Sequence, residues 1–203
     1  MKQYPSIPGS RSRKLPFGES CVGFYKYDGS NLRWEWNRKR GFYKFGTRHR
    51  LFGPDEAPYN QAIDFFKKYM AKSIEDTMIR HYSGITDFIV FTEFFGPSSF
   101  AGSHDLDEKK ELKLFDIWVP KKGLIPPNEF INKFGSGGWV AQPIYHGIFH
   151  EQLITDVREG RHPVVEGMVV KGVNGDWMAK IKTDAYLTKL KETFGTGWIK
   201  FGE

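Results

Sequence analysis

The pattern of apolar and polar positions divides the chain into two kinds of segment. Apolar residues alternate from Cys21 to Tyr27 and again from Leu32 to Trp36, predicting two strands joined by a turn at Asp28-Gly29. Asn37 to Gly41 is a turn-rich cluster ahead of a third strand near Phe42–Phe45. From Tyr59 to about Tyr82 the period changes. Ile63, Phe66, Tyr69, Met70, Ile74 and Met78 recur at helical spacing, and Ser83-Gly84 is the stop. Strands return at Phe88–Phe95, Leu112–Val119, Val164–Lys171 and Met178–Lys182. Shorter helices are predicted at Pro127–Phe134, Phe149–Arg158 and Asp184–Phe194, with Asp184 as the last one's N-cap. Residues 1–20 have no hydrophobic period and read as an irregular basic arm, leaving 21–203 as a single domain. No repeat or linker interrupts it. Strands in hairpin order with helices between them predict an α+β fold of antiparallel sheets flanked by helices.

Composition narrows the class. The 203 residues are 39% hydrophobic and 16% aromatic, which excludes a disordered chain. No apolar run approaches the ~18 residues that cross a bilayer. The opening segment MKQYPSIPGSRSRK lacks an apolar h-region, so no secretory signal is expected. Cys21 is the sole cysteine, ruling out an internal disulfide and a cysteine-based zinc site. The expectation is a cytoplasmic monomer without membrane contact. The net charge of +6 and pI near 9.2 suit a polyanion partner and suit plain solubility equally.

Four segments carry candidate chemistry. In Lys26-Tyr27-Asp28-Gly29-Ser30-Asn31, Lys26 shares strand parity with Val22 and Phe24, which points it to a buried side. Desolvation and neighbouring cations turn such an ammonium into a nucleophilic amine, whereas a lysine on a hairpin rim does nothing. In Trp177-Met178-Ala179-Lys180-Ile181-Lys182, Lys180 and Lys182 project from one face, as a triphosphate requires and as any amphipathic strand allows. Upstream, Glu166 and Lys171 have opposite parity in Val165–Lys171. For both to serve one site the strand must bend, or Lys171 must lie past its regular end. Glu93 in the apolar run Phe88–Phe95 requires a polar partner or a turn into solvent. Leu112–Trp118 carries another isolated acid, Asp116, beside Phe115, whose ring is either core or a stacking platform. Among the scattered histidines, His146 and His150 stand four apart, but a zinc pair there lacks a third ligand. Arg11, Arg13 and Lys14 in the arm, with Arg38, Lys39 and Arg40 in the turn, track a phosphate backbone or are simply solvated.

The order changes the weight of these pieces. KxDGxN, then Gly46-Thr47-Arg48 after a hairpin, then TEFFG, FDIWV, EGMVVK and KIK, resembles the covalent nucleotidyltransferase superfamily of ATP-dependent DNA and RNA ligases and capping enzymes. It most resembles the phage-type RNA ligases, and the likeness spans about residues 21–190. The resemblance implies an ATP-grasp-like ligase adenylation domain. Only about 21 residues follow Lys182, so no C-terminal oligonucleotide-binding fold is expected. It implies Lys26 as the residue that attacks the α-phosphorus of ATP, with Asp28 and Asn31 completing that motif. Arg48 falls at a phosphate-binding arginine, Glu93 at an acid that contacts the ribose, and Phe115 at a ring stacked on adenine. Glu166 occupies the acid associated with Mg²⁺ or Mn²⁺, with Lys171 beyond it. Lys180 and Lys182 take the α-phosphate and the leaving pyrophosphate. Tyr25 stands beside the nucleophile where some RNA ligases carry an acid near the adenine, so ATP over GTP comes from the family.

The activity implied is RNA ligation, joining a 5′-phosphate to a 3′-hydroxyl through lysyl-AMP and RNA-adenylate, as in phage RNA repair in a host cytoplasm. A minimal DNA ligase is the alternative, disfavoured by Asn31 where DNA ligases more often carry arginine. A non-catalytic nucleotide- or RNA-binding module is the other.

Overall fold

A computed structural model of the chain describes residues 2–12 and 14–202; Arg13, one of the arm's candidate phosphate contacts, lies outside them. Two compact units divide the fold, and each is built on its own antiparallel sheet. The first runs mainly from Asp28 to Ile125 and Glu129 to Val140 and takes in Tyr4. The second comprises Pro5–Tyr27, Pro126–Asn128 and the residues from Ala141 onward.

The first unit's sheet contains β2 (Ser30–Asn37), β3 (Gly41–Thr47), β4 (Asp87–Phe95), β5 (Glu111–Val119) and β6 (Gly123–Leu124). Their order is β3-β2-β4-β5-β6. One face is apolar because alternate residues of each strand are. Leu32, Trp34 and Trp36 of β2 and Phe88, Val90 and Phe94 of β4 are buried there. Helix α1 (Tyr59–Phe65), a π-helical turn (Phe66–Met70) and helix α2 (Ala71–His81) supply the cover. The Phe66 ring stacks on Trp34 at 4.1 Å between centroids. The Trp34 indole N–H donates to Thr92 Oγ1 at 2.8 Å and that of Trp36 to Glu75 Oε1 at 3.0 Å, so neither buried ring strands a donor. Helix α3 (Pro127–Phe134) follows the sheet, and its Glu129 accepts the Tyr82 hydroxyl at 2.6 Å.

The single helix expected over Tyr59 to Tyr82 is therefore an α-π-α succession. The π turn inserts a residue and rotates the helix face. Ile63, Phe66, Met70, Ile74 and Met78 stay buried, whereas Tyr69 is 50% exposed, its ring 4.9 Å from Phe65 and under Lys68 Nζ at 5.0 Å.

The second unit's sheet has β1 (Ser20–Lys26), β7 (Pro143–Ile148), β8 (Gly167–Gly172) and β9 (Met178–Lys182) in the order β7-β1-β8-β9. Cys21, Met168, Val170, Ala179 and Ile181 share one face and form a core with Phe149, Leu153, Ile154 and Val157 on and beside α4 (Glu151–Arg158). Strand β9 and helix α5 (Asp184–Phe194) have their expected bounds, but the cap differs. Thr183 is extended and its Oγ1 accepts from the Tyr186 N–H at 3.2 Å, which leaves Asp184 in the first turn, where its charge suits the helix dipole. His150, one of the spaced histidines, caps α4 through Nδ1, accepting from Leu153 N–H at 3.0 Å. Strand β8 starts at Gly167, three residues later than the apolar run suggested. β6 and β7 carry too little alternation to be read from the sequence. No helix among the described residues is long and apolar enough to cross a membrane.

Candidate active site

The second unit brings four of the candidate lysines to one side of one sheet. Register pairs Lys26 with Gly167 and Gly167 with Lys182, so the three form a row across β1, β8 and β9. One step along, Phe24, Val169 and Lys180 form the next row, and Val22, Lys171 and Met178 the third. Directly opposed residues share a face, so Lys26, Lys171, Lys180 and Lys182 all stand opposite the apolar core. Ala179 and Ile181 point the other way and are fully buried, as the spacing of the two lysines required.

At the head of the first row lies Glu166. Its Oε1 is 2.9 Å from Lys26 Nζ and 2.8 Å from Lys182 Nζ, so two ammonium groups share one carboxylate oxygen. The side chain of Glu166 is 3% exposed and that of Lys26 22%. Glu166 Oε2 is buried and has no hydrogen-bond partner. The parity conflict between Glu166 and Lys171 is resolved at the strand's start. Glu166 precedes β8, where Thr183 closes the bend by donating its N–H to Glu166 O at 3.0 Å and its hydroxyl to Val165 O at 2.8 Å. Gly167 is what lets the row close. A Cβ there would stand 2.0 Å from the Ile181 carbonyl oxygen.

The remaining lysines are each engaged. Lys171 Nζ lies over the Phe24 ring at 4.7 Å, Lys182 Nζ also over Tyr186 at 4.6 Å, and Lys180 Nζ donates to Gly202 O at 3.2 Å. Tyr25, one residue from Lys26, alternates to the opposite side with Met168, its ring 4.6 Å from Tyr27. It is not brought to the lysine face.

The first unit carries the other candidates on the face of its sheet away from α1 and α2. Asn31, Glu93 and Lys113 oppose one another across β2, β4 and β5. Arg33, Phe91 and Asp116 form the next row, and Phe115 is the extra residue where the β4–β5 register shifts. Such a bulge turns a side chain out of the regular alternation. Arg48 sits in the turn after β3, its Nε buried without a hydrogen bond. Asp28 holds a loop, its Oδ1 accepting the Ala101 N–H at 2.9 Å. Gly29 beside it passes so close to Phe94 that a Cβ would meet the carbonyl oxygen at 2.2 Å, which explains the glycine of that turn.

Sequence reading missed three residues here. Tyr4 of the arm is 5% exposed, and its hydroxyl donates to Asp116 Oδ2. Arg33 is buried at 1%, and desolvation lowers its pKa against the opposing pull of Glu35. His104 joins Ser30 Oγ at Nε2, 2.8 Å, and Ser99 Oγ at Nδ1, 3.3 Å. Parity with Asn31 marks Arg33 in the sequence. Nothing local marks Tyr4, whose partner Asp116 lies 112 positions away, or the bond of His104 to Ser30, 74 positions away.

A divalent cation fits what Glu166 offers. Its unpartnered Oε2 is a hard oxygen donor, the kind Mg²⁺ and Mn²⁺ take. Among the described residues no group of three or more His, Cys, Asp or Glu could hold a metal. A cation held at Glu166 Oε2 would take water and phosphate oxygens as its other ligands, as is usual for Mg²⁺ at phosphate sites.

No protein-family model matches the chain, and no curated protein does. Solved structures do. A Naegleria gruberi RNA ligase with pyrophosphate superposes with a TM-score of 0.61 at 20% identity, over 87% of this chain and 53% of that one. Lysine-mutant forms of the same ligase, one with AMP and Mn and one with ATP and Mn, each give a TM-score of 0.59 at 19% identity, over 85% of this chain and 52% of theirs. The chain has the fold of that part of the ligase, and it spans about half the length of these structures.

Proposed function

We propose that this chain is the adenylyltransferase part of an ATP-dependent RNA ligase, with Lys26 as the residue that becomes adenylylated. One observation carries the reading: Lys26 and Lys182 meet on a single buried carboxylate whose second oxygen is unpartnered. A structural ion pair has no need of that free oxygen, nor of two further lysines on the same face. The shared fold supports the reaction class, and the motif order supports the RNA-ligase branch of it.

The chemistry follows from the residues. Lys26 Nζ attacks the α-phosphorus of ATP, the N–P bond forms, and the bond to the bridging oxygen breaks with its electron pair leaving on pyrophosphate. Lys26 is paired to Glu166, so the pair must open and the attacking amine must be free of its proton. Glu166 Oε1, already at hydrogen-bond distance, is placed to take it. Lys180 and Lys182 act at the phosphate oxygens, where charge stabilisation and in-line positioning supply most of the catalysis of phosphoryl transfer. Glu166 Oε2 would hold the divalent cation, which when bound neutralises phosphate charge.

In the first unit, Phe115 stacks on the adenine, Glu93 takes the ribose and Arg48 a phosphate. Asp28 positions the loop at Ala101, and Asn31 lies in the row of Glu93. Transfer continues when an RNA 5′-phosphate oxygen attacks the lysyl-AMP phosphorus and releases the lysine. A 3′-hydroxyl then attacks the 5′-phosphorus, and AMP leaves.

Incubation with ATP labelled at the α-phosphate and Mg²⁺ or Mn²⁺, followed by a denaturing gel beside Lys26→Ala, tests the first step. Label on the wild type and none on the variant is the expected result. A folded wild type that takes no label from ATP or GTP sinks the proposal. A labelled protein that passes AMP to nicked DNA ends but not to RNA ends sinks the choice of acceptor alone.

A further inference from the structure

Asp116 has no role in the proposed reaction, yet it is a carboxylate 1% exposed in the middle of a strand. A buried carboxylate is costly unless a donor reaches it. The donor is the hydroxyl of Tyr4, which arrives from the segment ahead of β1. The Tyr4 ring lies 5.0 Å from Phe91 and 5.0 Å from Phe115, at interplanar angles of 63° and 85°. Burial pushes the phenol well above its ordinary pKa, and the Asp116 and Glu93 carboxylates push the same way against Arg48. Tyr4 therefore remains a neutral hydrogen-bond donor throughout the pH range of any nucleotide chemistry.

Phe115 is the extra residue of the β4–β5 bulge, where the strand register does not fix a side chain's direction. Tyr4 packs edge-to-face on its ring and Phe91 lies 6.5 Å away, and such packing helps to set the ring's direction. We infer that Tyr4 is a positioning residue of the nucleotide site, anchored by Asp116 and setting the orientation of Phe115 so that the base is received without rearrangement. The inference rests on the reading in which Phe115 stacks on the base. It separates base affinity, which depends on Tyr4, from the transfer step at Lys26, which does not.

Tyr4→Phe tests it, because the ring stays and the bond to Asp116 goes. In the Lys26 labelling reaction, Tyr4→Phe is expected to raise KM for ATP about tenfold, with the rate at saturating ATP within about twofold of wild type. Inhibition by tripolyphosphate, which has no base, stays unchanged. In a Phe115→Leu background the effect of Tyr4→Phe on KM disappears, because the ring it orients is gone. An unchanged KM overturns the inference. So does a lower rate at unchanged KM, an equal weakening of ATP and tripolyphosphate, or full additivity with Phe115→Leu. If Tyr4→Phe does not fold, Asp116→Asn carries the same comparison, and unfolding of both makes the pair a strut and overturns the inference. A wild type that takes no label sinks the ligase reading alone. Calorimetric binding of ATP against tripolyphosphate then supplies the same split, and a wild type that binds no ATP overturns both.

Discussion

The two sheets solve the same packing problem and carry different chemistry on their other faces. Each buries one face, and in each the period of two sends every second residue away from the core. In the second unit those residues include four lysines, joined by Glu166; in the first they include Asn31, Glu93, Asp116, Arg33, Lys113 and the Phe91 ring. Four lysines on one face are costly, and each is offset separately: Lys26 and Lys182 by Glu166, Lys171 by the Phe24 ring, Lys180 by the Gly202 carbonyl. The first unit's polar face is instead tied by neutral or mixed bonds such as Tyr4 to Asp116 and Asp28 to Ala101. On the proposed reading, the adenine and ribose fall to the first unit's sheet and the lysines that act at the phosphates to the second's. Damage to the second unit should then read out in reaction rate, and damage to the first in affinity.

The largest test of that division is Glu166→Gln. It removes the charge that Lys26 and Lys182 share. Labelling of Lys26 should fall by roughly 100-fold or more, the scale of losing an acid–base or charge-organising group. Stability should drop by about 3 kcal/mol, since one charge of a buried ion pair is removed. Gel labelling and urea denaturation read the two effects. Labelling within tenfold of wild type would make Glu166 a bystander. Gly167→Ala comes next. Its new Cβ would meet the Ile181 carbonyl oxygen at 2.0 Å, so β8 and β9 must separate. A stability loss of roughly 2–4 kcal/mol is expected, and an unshifted urea midpoint would show that the row does not depend on the glycine.

A smaller effect is expected from Thr92→Val in the first unit. It strips the Trp34 indole of its acceptor in a buried position, at a cost of about 1–3 kcal/mol. Labelling by the folded protein should be unchanged, because Thr92 faces the helices and not the polar rows. A changed KM for ATP would join the two faces of that sheet and weaken the comparison.

Where periodicity is strong the sequence foretold the structure. The lysines of β9, the bounds of α3 and α5, and the strand nature of β2, β4 and β5 all follow from alternation or helical spacing. Lys26, Glu166 and Lys182 were legible as motif members, and their meeting on one oxygen follows once Glu166 is seen to precede its strand. What stayed hidden depends on distance along the chain or on irregularity. The π turn that exposes Tyr69 leaves no mark in residue type. The β4–β5 bulge at Phe115 is a register choice made between strands, not within one. Tyr4 sat in a segment without hydrophobic period, and only tertiary packing gives it a partner. The lysine face was thus more legible than the aromatic one, because charges at fixed spacing announce themselves and rings do not.

The gentlest test uses pH, because burial shifts one titrating group in each unit in opposite directions. Burial raises the Cys21 thiol in the second unit's core to about 11 from an ordinary value of 9.0. The unfolded chain then loses the thiol proton first, so stability present below pH 9 is lost as pH rises towards 11. Burial, with the charge of Lys110, lowers His104 in the first unit below its ordinary 6.5, while Glu108 pulls the other way. Here the unfolded chain gains the proton first, so stability present above pH 6.5 is lost as the solution is acidified. Hydrogen exchange at pH 5.5, 7.5 and 10, corrected for intrinsic rates, reads both. Acid should loosen residues 97–110 and the Ser30 end of β2, where His104 is bonded, and leave β1 and β8 protected. Alkali should loosen β1 and β8 through Cys21, and the first unit too, where burial raises the Tyr4 and Tyr82 phenols. His104→Gln should remove the acid effect, and Cys21→Ala should lessen the alkaline one at β1 and β8. Equal loosening of both units in acid would mean that they unfold as one, and that the separation seen in their chemistry does not extend to their stability.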